Sequence, residues 1–250
     1  MILEVSNITK RFLIERGVFK KESGSLAALN NISFKLDEFK TLGIVGESGS
    51  GKTTLAKIIL KLIVPTSGEV IFDEKQIINF RKDVQIIFQN PYNSLNPKMR
   101  VFDIISEPLL IHNIISRKFI KNRVIELLRM VNLDESILQR LPIEFSGGQR
   151  QRICIARALA SEPKFIVFDE PISSLDLTIQ AQMLDLFQEL KTRLKLTYIF
   201  ISHNLAVVKI IADSVIVMKD GAIVEQAECA DLFLNPRDSY TKFLLASAKY

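Results

Sequence analysis

The chain has 250 residues, 48% hydrophobic and 24% charged, which is ample for one large packed domain or a core with a subdomain and excludes a disordered chain. A net charge of +5 suits an anionic membrane face or nucleic acid, yet no basic cluster carries interleaved aromatics for base stacking. A solvated lysine-rich surface is therefore expected, with no nucleic-acid partner.

The N-terminus, MILEVSNITKRF, lacks the charged-then-apolar layout of a signal peptide and reads as a strand. Leu3–Val5 and Asn31–Leu36 alternate as strands do, with Arg16–Ser25 between them as an exposed basic connector. Phe12 stands just before that connector. An aromatic there serves either as core or as a flat platform for a purine, and composition alone favours core.

Leu42–Val45 is a short apolar run, and Leu55–Leu62 is apolar at helical spacing. Between them lies Gly46-Glu47-Ser48-Gly49-Ser50-Gly51-Lys52-Thr53, followed by Thr54. Strand, glycine-rich loop and helix in that order form the context of a phosphate-binding loop. Glycines let successive N–H groups turn around an anion, and the helix adds the positive end of its dipole. Lys52 supplies a cation for the β- and γ-phosphates and Thr53 a hydroxyl for Mg²⁺. The bland alternative is a turn that binds nothing, and the flanking strand and helix count against it.

Gly68–Phe72 reads as a strand after the turn Pro65–Gly68, and Val84–Phe88 as another, ending at Gln89. Asn90–Pro97 is dense in turn formers and marks a boundary. From Val101 to about Ala160 the texture is helical, most clearly over Ile120–Val131. Ser146-Gly147-Gly148-Gln149 then opens a helix carrying Arg150, Arg152 and Arg157. This is either a plain Ser cap or a second anion site.

Phe165–Phe168 is the continuous apolar run of a buried parallel strand, and it ends in Asp169-Glu170. Carboxylates at the C-terminal end of such a strand lie where α/β sheets bind ligands. Asp169 is placed to hold Mg²⁺ and Glu170 to orient or deprotonate a water. Thr197–Ser202 is a further buried strand, followed directly by His203. The other histidine, His112, reads as an ordinary surface or core residue.

The longest apolar stretch, Leu205 to Met218, is broken by Lys209 and Asp213, short of a membrane span. Ser214–Met218 and Ala222–Glu225 flank Lys219-Asp220-Gly221, a hairpin signal. Pro236–Ala248 reads as a short amphipathic helix. Two cysteines, Cys154 and Cys229, make no disulfide framework and fit a reducing cytosol.

The ordered series formed by Gly46–Thr53, Gln89, Phe145-Ser146-Gly147-Gly148-Gln149, Asp169-Glu170, Ser174-Leu175-Asp176 and His203 resembles the ABC transporter ATPases over essentially the whole chain. Gln89–Met99, Glu107-Pro108-Leu109 and Asn235–Thr241 look like the peptide/nickel importer branch. The resemblance implies an α/β fold: a P-loop NTPase core with a mixed, largely parallel sheet, an N-terminal antiparallel β-subdomain and an inserted α-helical subdomain. One ABC ATPase domain would span 1–250, with the core in 1–89 and 161–250 and the helical signature subdomain in 90–160.

The resemblance also assigns roles. Phe12 matches the aromatic that stacks on adenine, against the composition-based preference for core. Gln89 matches a residue touching Mg²⁺ and the attacking water, and His203 a switch on the γ-phosphate. Ser146, Gly147, Gly148 and Gln149 match the motif that closes over the nucleotide of a partner subunit, and Ser174 with Asp176 the loop crossing that dimer interface. Phe145 stands where leucine is usual, and Ile172-Ser173-Ser174 where Thr-Ser-Ala is common. Some members of that branch carry a C-terminal cysteine cluster for iron–sulfur; this chain ends at Tyr250 with Cys229 alone, so no iron–sulfur centre is expected.

The implied activity is ATP hydrolysis, with ATP and Mg²⁺, powering an importer for peptides, nickel or a metal chelate. The implied partners are a second ABC ATPase, two transmembrane permease subunits and an extracytoplasmic solute-binding protein. The implied location is the cytoplasmic face of the cell membrane. Two rival readings are an ABC-type subunit that binds ATP with little hydrolysis, against which Glu170, Gln89 and His203 argue, and a soluble non-transport ABC ATPase. The latter usually needs a long coiled-coil insertion or tandem cassettes, and this chain has neither.

Overall fold

The computed structural model describes residues 1–16, 21–89 and 94–247. The centre of the Arg16–Ser25 connector, the first part of the Asn90–Pro97 turn cluster and the end of the Pro236–Ala248 segment lie outside the described residues. The chain divides into two compact units, Met1–Ile77 with Ile199–Tyr250, and Ile78–Tyr198. In chain order the first unit begins with β1 (Leu3–Arg16), β2 (Lys21–Leu36), β3 (Thr41–Val45), α1 (Lys52–Ile59) and β4 (Ser67–Phe72). The second contains α2 (Phe80–Asp83), β5 (Val84–Ile87), α3 (Val101–Ile111), α4 (Ile120–Met130), α5 (Gly147–Ala160), β6 (Phe165–Asp169) and α6 (Leu177–Leu194). The first unit resumes at Ile199, within β7 (Thr197–Ile201), and continues with α7 (Leu205–Ile211), β8 (Ser214–Lys219), β9 (Ala222–Glu228), α8 (Cys229–Leu234) and α9 (Ser239–Ser247).

In the first unit β1 pairs antiparallel with both β2 and β4, which gives the expected N-terminal antiparallel sheet. The connector expected to be a loop is largely strand, since the ladder continues through Glu15↔Glu22 and Arg16↔Lys21. A facing backbone satisfies N–H and C=O groups whatever side chains it carries, so an established ribbon extends through polar sequence. β3 runs parallel to β8, and β8 pairs antiparallel with β9, making a mixed sheet. Between β8 and β9, Asp220 (φ 48°) and Gly221 (φ 77°) both take the left-handed angles of the expected hairpin turn.

All five residues of β3 are buried. Its one non-β-former, Gly43, is explained by α7: a Cβ there would stand 2.5 Å from Val208 Cγ1. The apolar stretch Leu205–Met218 resolves into α7 and β8. Among the described residues no helix is long and apolar enough to cross a membrane. Val45, Val208, Val217, Leu232 and Tyr240 belong to one buried cluster, which docks α8 and α9 on the strand that leads to the glycine loop.

In the second unit β5 and β6 are parallel, in register from Val84↔Phe165 to Ile87↔Phe168. Every residue of β6 is buried, as its unbroken apolar run predicts. The Phe168 ring lies 4.6 Å from Phe187 on α6 and 4.9 Å from Tyr198, edge-on to the latter. The Tyr198 hydroxyl donates to the Phe187 carbonyl, and burial pushes its pKa up. The helical texture expected after Val101 is borne out by α3, α4 and α5, whose Ile105, Leu109, Val124, Leu128 and Ile153 are fully buried.

Candidate functional site

Each unit carries one set of the residues singled out by sequence. In the first, β3 delivers the chain to Gly46, Gly49 and Gly51, with φ of 150°, 88° and 103°. Gly46 has a second reason to lack a side chain, because a Cβ would meet the Met218 carbonyl oxygen at 2.2 Å. The loop is held from outside by the β8–β9 hairpin, where Gly221 N–H donates to the Ser50 carbonyl at 3.2 Å.

Lys52 opens α1 and is only 6% exposed. Its Nζ donates to the Gly46 carbonyl at 2.8 Å, the Glu47 carbonyl at 2.7 Å and Ser50 Oγ at 3.3 Å. A buried ammonium costs several kcal/mol unless its protons are taken up, and the loop's own oxygens do this. The first turn of α1 contains no acidic side chain, so its positive end is uncancelled locally. Glu47, Ser48, Gly49 and Thr53 are exposed and Thr54 is half-buried. The arrangement suits an anion with several oxygens.

Phe12 is 40% exposed, with the Lys10 ammonium 5.1 Å from its ring centroid, so it is a surface ring and the composition-based reading of core is corrected. His203 is exposed between β7 and α7. Asn204 behind it caps α7, accepting the N–H groups of Ala206 and Val207.

In the second unit Asp169 ends β6 and is 6% exposed. Glu170 follows with φ of 51°, a left-handed angle uncommon for a residue with a side chain. That kink turns the chain sharply after the strand. Gln89 Nε2 stands 3.4 Å from Glu170 Oε2 and donates to Ser173 Oγ at 3.3 Å. Ser173 Oγ in turn donates to the Glu170 carbonyl at 3.1 Å. Gln89 and Glu170 are thus brought together around Ser173, which sequence reading singles out only for its departure from the usual Thr-Ser-Ala.

Ser146 caps α5 as expected. Its Oγ accepts the Gln149 N–H at 3.4 Å while Gln149 Oε1 accepts the Ser146 N–H at 3.1 Å, a reciprocal capping box. Gly147 and Gly148 form the first turn, half-buried, with Ser146 and Gln149 exposed. The arginines of α5 are structural braces: Arg150 donates to the carbonyls of Pro142 and Ile143, Arg152 to Val131, and Arg157 to Ser94. Asp176 caps α6 through the Ile179 N–H at 2.9 Å.

The sequence profile of the ABC transporter family matches residues 29–173, more than half of the chain. It belongs to the ABC transporter family. The matched span contains the glycine loop, Gln89, Ser146–Gln149 and Asp169-Glu170; Phe12, Asp176 and His203 fall outside it. Among curated proteins, this ATPase is 43% identical over 254 residues to the di/tripeptide transport ATP-binding protein DppF of Pseudomonas aeruginosa, covering 98% of this chain and 78% of that protein. It is 45% identical over 256 residues to the oligopeptide transport ATP-binding protein OppF of Bacillus subtilis, covering 98% and 82%. Its fold matches the ATP-binding cassette MJ0796, solved as a dimer in a post-hydrolysis state bound to ADP and Pi. There the TM-score is 0.77 and the identity 28%, over 91% of this chain and 99% of that one. The chain is therefore an ATP-binding ATPase of the family, its hydrolysis coupled to transport.

A second contact invisible in the sequence reaches the loop of the ATPase from its C-terminal helix. The Glu47 N–H donates to the Tyr240 phenol oxygen at 3.2 Å. Burial lifts the Tyr240 hydroxyl above the usual tyrosine range, against the opposing pull of the Glu47 N–H, so the phenol stays protonated at neutral pH. Nearby, burial raises the Glu225 carboxyl, but the N–H groups of Arg237 and Asp238 that donate to it help to hold its pKa below the ordinary value. No spacing rule links residues this far apart in sequence.

Proposed function

We propose that this ATPase powers a peptide importer, with Gly46–Thr54 gripping the triphosphate and Glu170 acting on the water that attacks it. The observation that carries the reading is the buried Lys52 ammonium, caged by loop oxygens that phosphate oxygens can replace. In this reading Lys52 neutralises charge on the β- and γ-phosphates, and Phe12 stacks on adenine. Glu170 takes a proton from the water as it attacks the γ-phosphorus and the bond to the ADP oxygen breaks. Gln89 and His203 orient the water and the γ-phosphate.

Asp169, Gln89 and Thr53 offer carboxylate, amide and hydroxyl oxygens, the hard donors that Mg²⁺ takes. Among the described residues no group of three or more His, Cys, Asp or Glu could hold a metal. A magnesium ion that keeps most of its waters and shares phosphate oxygens needs no such cage, so the donor set fits. When bound, the ion supplies charge neutralisation at the β- and γ-phosphates.

The dimeric state of the related cassette MJ0796 supports a pair. In this reading the pair is head-to-tail, and Ser146–Gln149 and the Ser174–Asp176 loop of one cassette close over the nucleotide of the other. Two permease subunits and an extracytoplasmic solute-binding protein complete the importer, with this chain on the cytoplasmic face. The di/tripeptide and oligopeptide relatives favour peptide as cargo over nickel or a chelate.

The test is reconstitution with the co-purified permease and binding protein in proteoliposomes. ATP turnover is expected to rise when peptide-loaded binding protein is added, and not with Glu170→Gln. Stimulation by a nickel chelate and not by peptide would reassign the cargo. Stimulation by neither would overturn the import reading.

A further inference from the structure

We propose that Tyr240 is a positioning residue for nucleotide binding, its phenol fixing the first peptide unit of the phosphate loop. The proposal rests on the reading that Gly46–Thr53 binds ATP. The Gly46–Glu47 peptide unit is held at both ends: its carbonyl accepts the Lys52 ammonium at 2.8 Å and its N–H donates to Tyr240 Oη at 3.2 Å. When phosphate oxygens draw Lys52 away, the carbonyl loses its partner and the bond to Tyr240 remains. That bond keeps the unit from rotating out of the shape the anion needs. Gly46 is the residue where rotation is easiest to imagine, since it has no side chain and a φ of 150°.

Tyr240 is itself over-determined, which a chance contact would not be. Its ring is 8% exposed within the cluster of Val45, Val217 and Leu232, and the Lys219 ammonium lies 4.8 Å from its centroid. Asp238 caps α9 by accepting the Tyr240 N–H at 2.8 Å. The segment ahead of α9 is pinned to β9, where the Glu225 carboxylate accepts the N–H of Arg237 at 2.8 Å and of Asp238 at 3.0 Å. Through these links the position of α9 is read by the loop, and anything that shifts α9 shifts nucleotide affinity by the same free energy that nucleotide exerts on α9.

Tyr240→Phe keeps the ring and removes only the acceptor. One neutral hydrogen bond corresponds to about a three- to tenfold change in an equilibrium. In calorimetric titration with Mg-ATP the variant is expected to bind about three- to tenfold more weakly, with turnover at saturating ATP unchanged. In the nucleotide-free protein its loop peptide containing Glu47 should exchange amide hydrogen faster than wild type. ATP affinity and exchange both equal to wild type would overturn the role. Lys52→Ala, run alongside, separates the two layers. Wild type binding ATP no better than Lys52→Ala would sink the loop assignment, whereas wild-type binding matched by Tyr240→Phe would sink only the part given to Tyr240.

Discussion

In the phosphate loop glycine is required by the backbone, whereas in the first turn of α5 only Gly148 is required, and by a neighbouring side chain. Gly46, Gly49 and Gly51 all have positive φ, and Gly46 also presses against the Met218 carbonyl. Gly147 and Gly148 instead lie within the first turn of an α-helix. An added Cβ at Gly147 meets only Leu175 Cδ2 at 3.4 Å, and at Gly148 meets Ile179 Cγ2 at 2.9 Å. The loop's shape thus depends on left-handed dihedral angles, and its lysine is already buried. The α5 turn is held by a capping box, with Ser146 and Gln149 exposed and Gly147 and Gly148 half-buried.

The largest expected effect follows from that contrast. Gly46→Ala puts a methyl against a carbonyl oxygen that belongs to a strand and has nowhere to go. It should cost on the order of 4 kcal/mol and abolish measurable ATP binding, read by thermal unfolding and titration. Near-wild-type unfolding and affinity would erase the distinction drawn here.

Gly148→Ala should be milder, because the obstacle is a half-buried side chain and the helix gains from alanine. A net cost of about 1–2 kcal/mol in thermal unfolding is expected, with ATP affinity retained. Adding Ile179→Ala should recover part of the cost of Gly148→Ala. No recovery would mean that Gly148 is glycine for some reason other than room.

The loop, β3, β6 and the α5 cap are legible in the sequence because each depends on near neighbours: glycine spacing, an unbroken apolar run, Ser146 three residues before Gln149. α6 has no counterpart among the expectations, although Met183, Leu184, Phe187 and Leu190 recur at helical spacing behind the Asp176 cap. The strand character of the Arg16–Ser25 region and the exposure of Phe12 depend on which backbone lies alongside, and composition is blind to that. Ser173 and Tyr240 escape for the same reason. Each bonds to a residue far away in sequence, Gln89 and Glu47, and a serine or tyrosine alone carries no signal of its partner.

In the proposed mechanism grip belongs to Lys52 and turnover to Glu170, on separate units of the chain. Equilibrium ATP titration and steady-state hydrolysis, run together on Lys52→Ala and Glu170→Gln, test that division most directly. Lys52→Ala should lose at least about tenfold in affinity. Glu170→Gln should bind ATP as wild type does while hydrolysis falls by about 10²–10⁴-fold. Hydrolysis surviving in Glu170→Gln, or an equal loss of affinity in both variants, would contradict it.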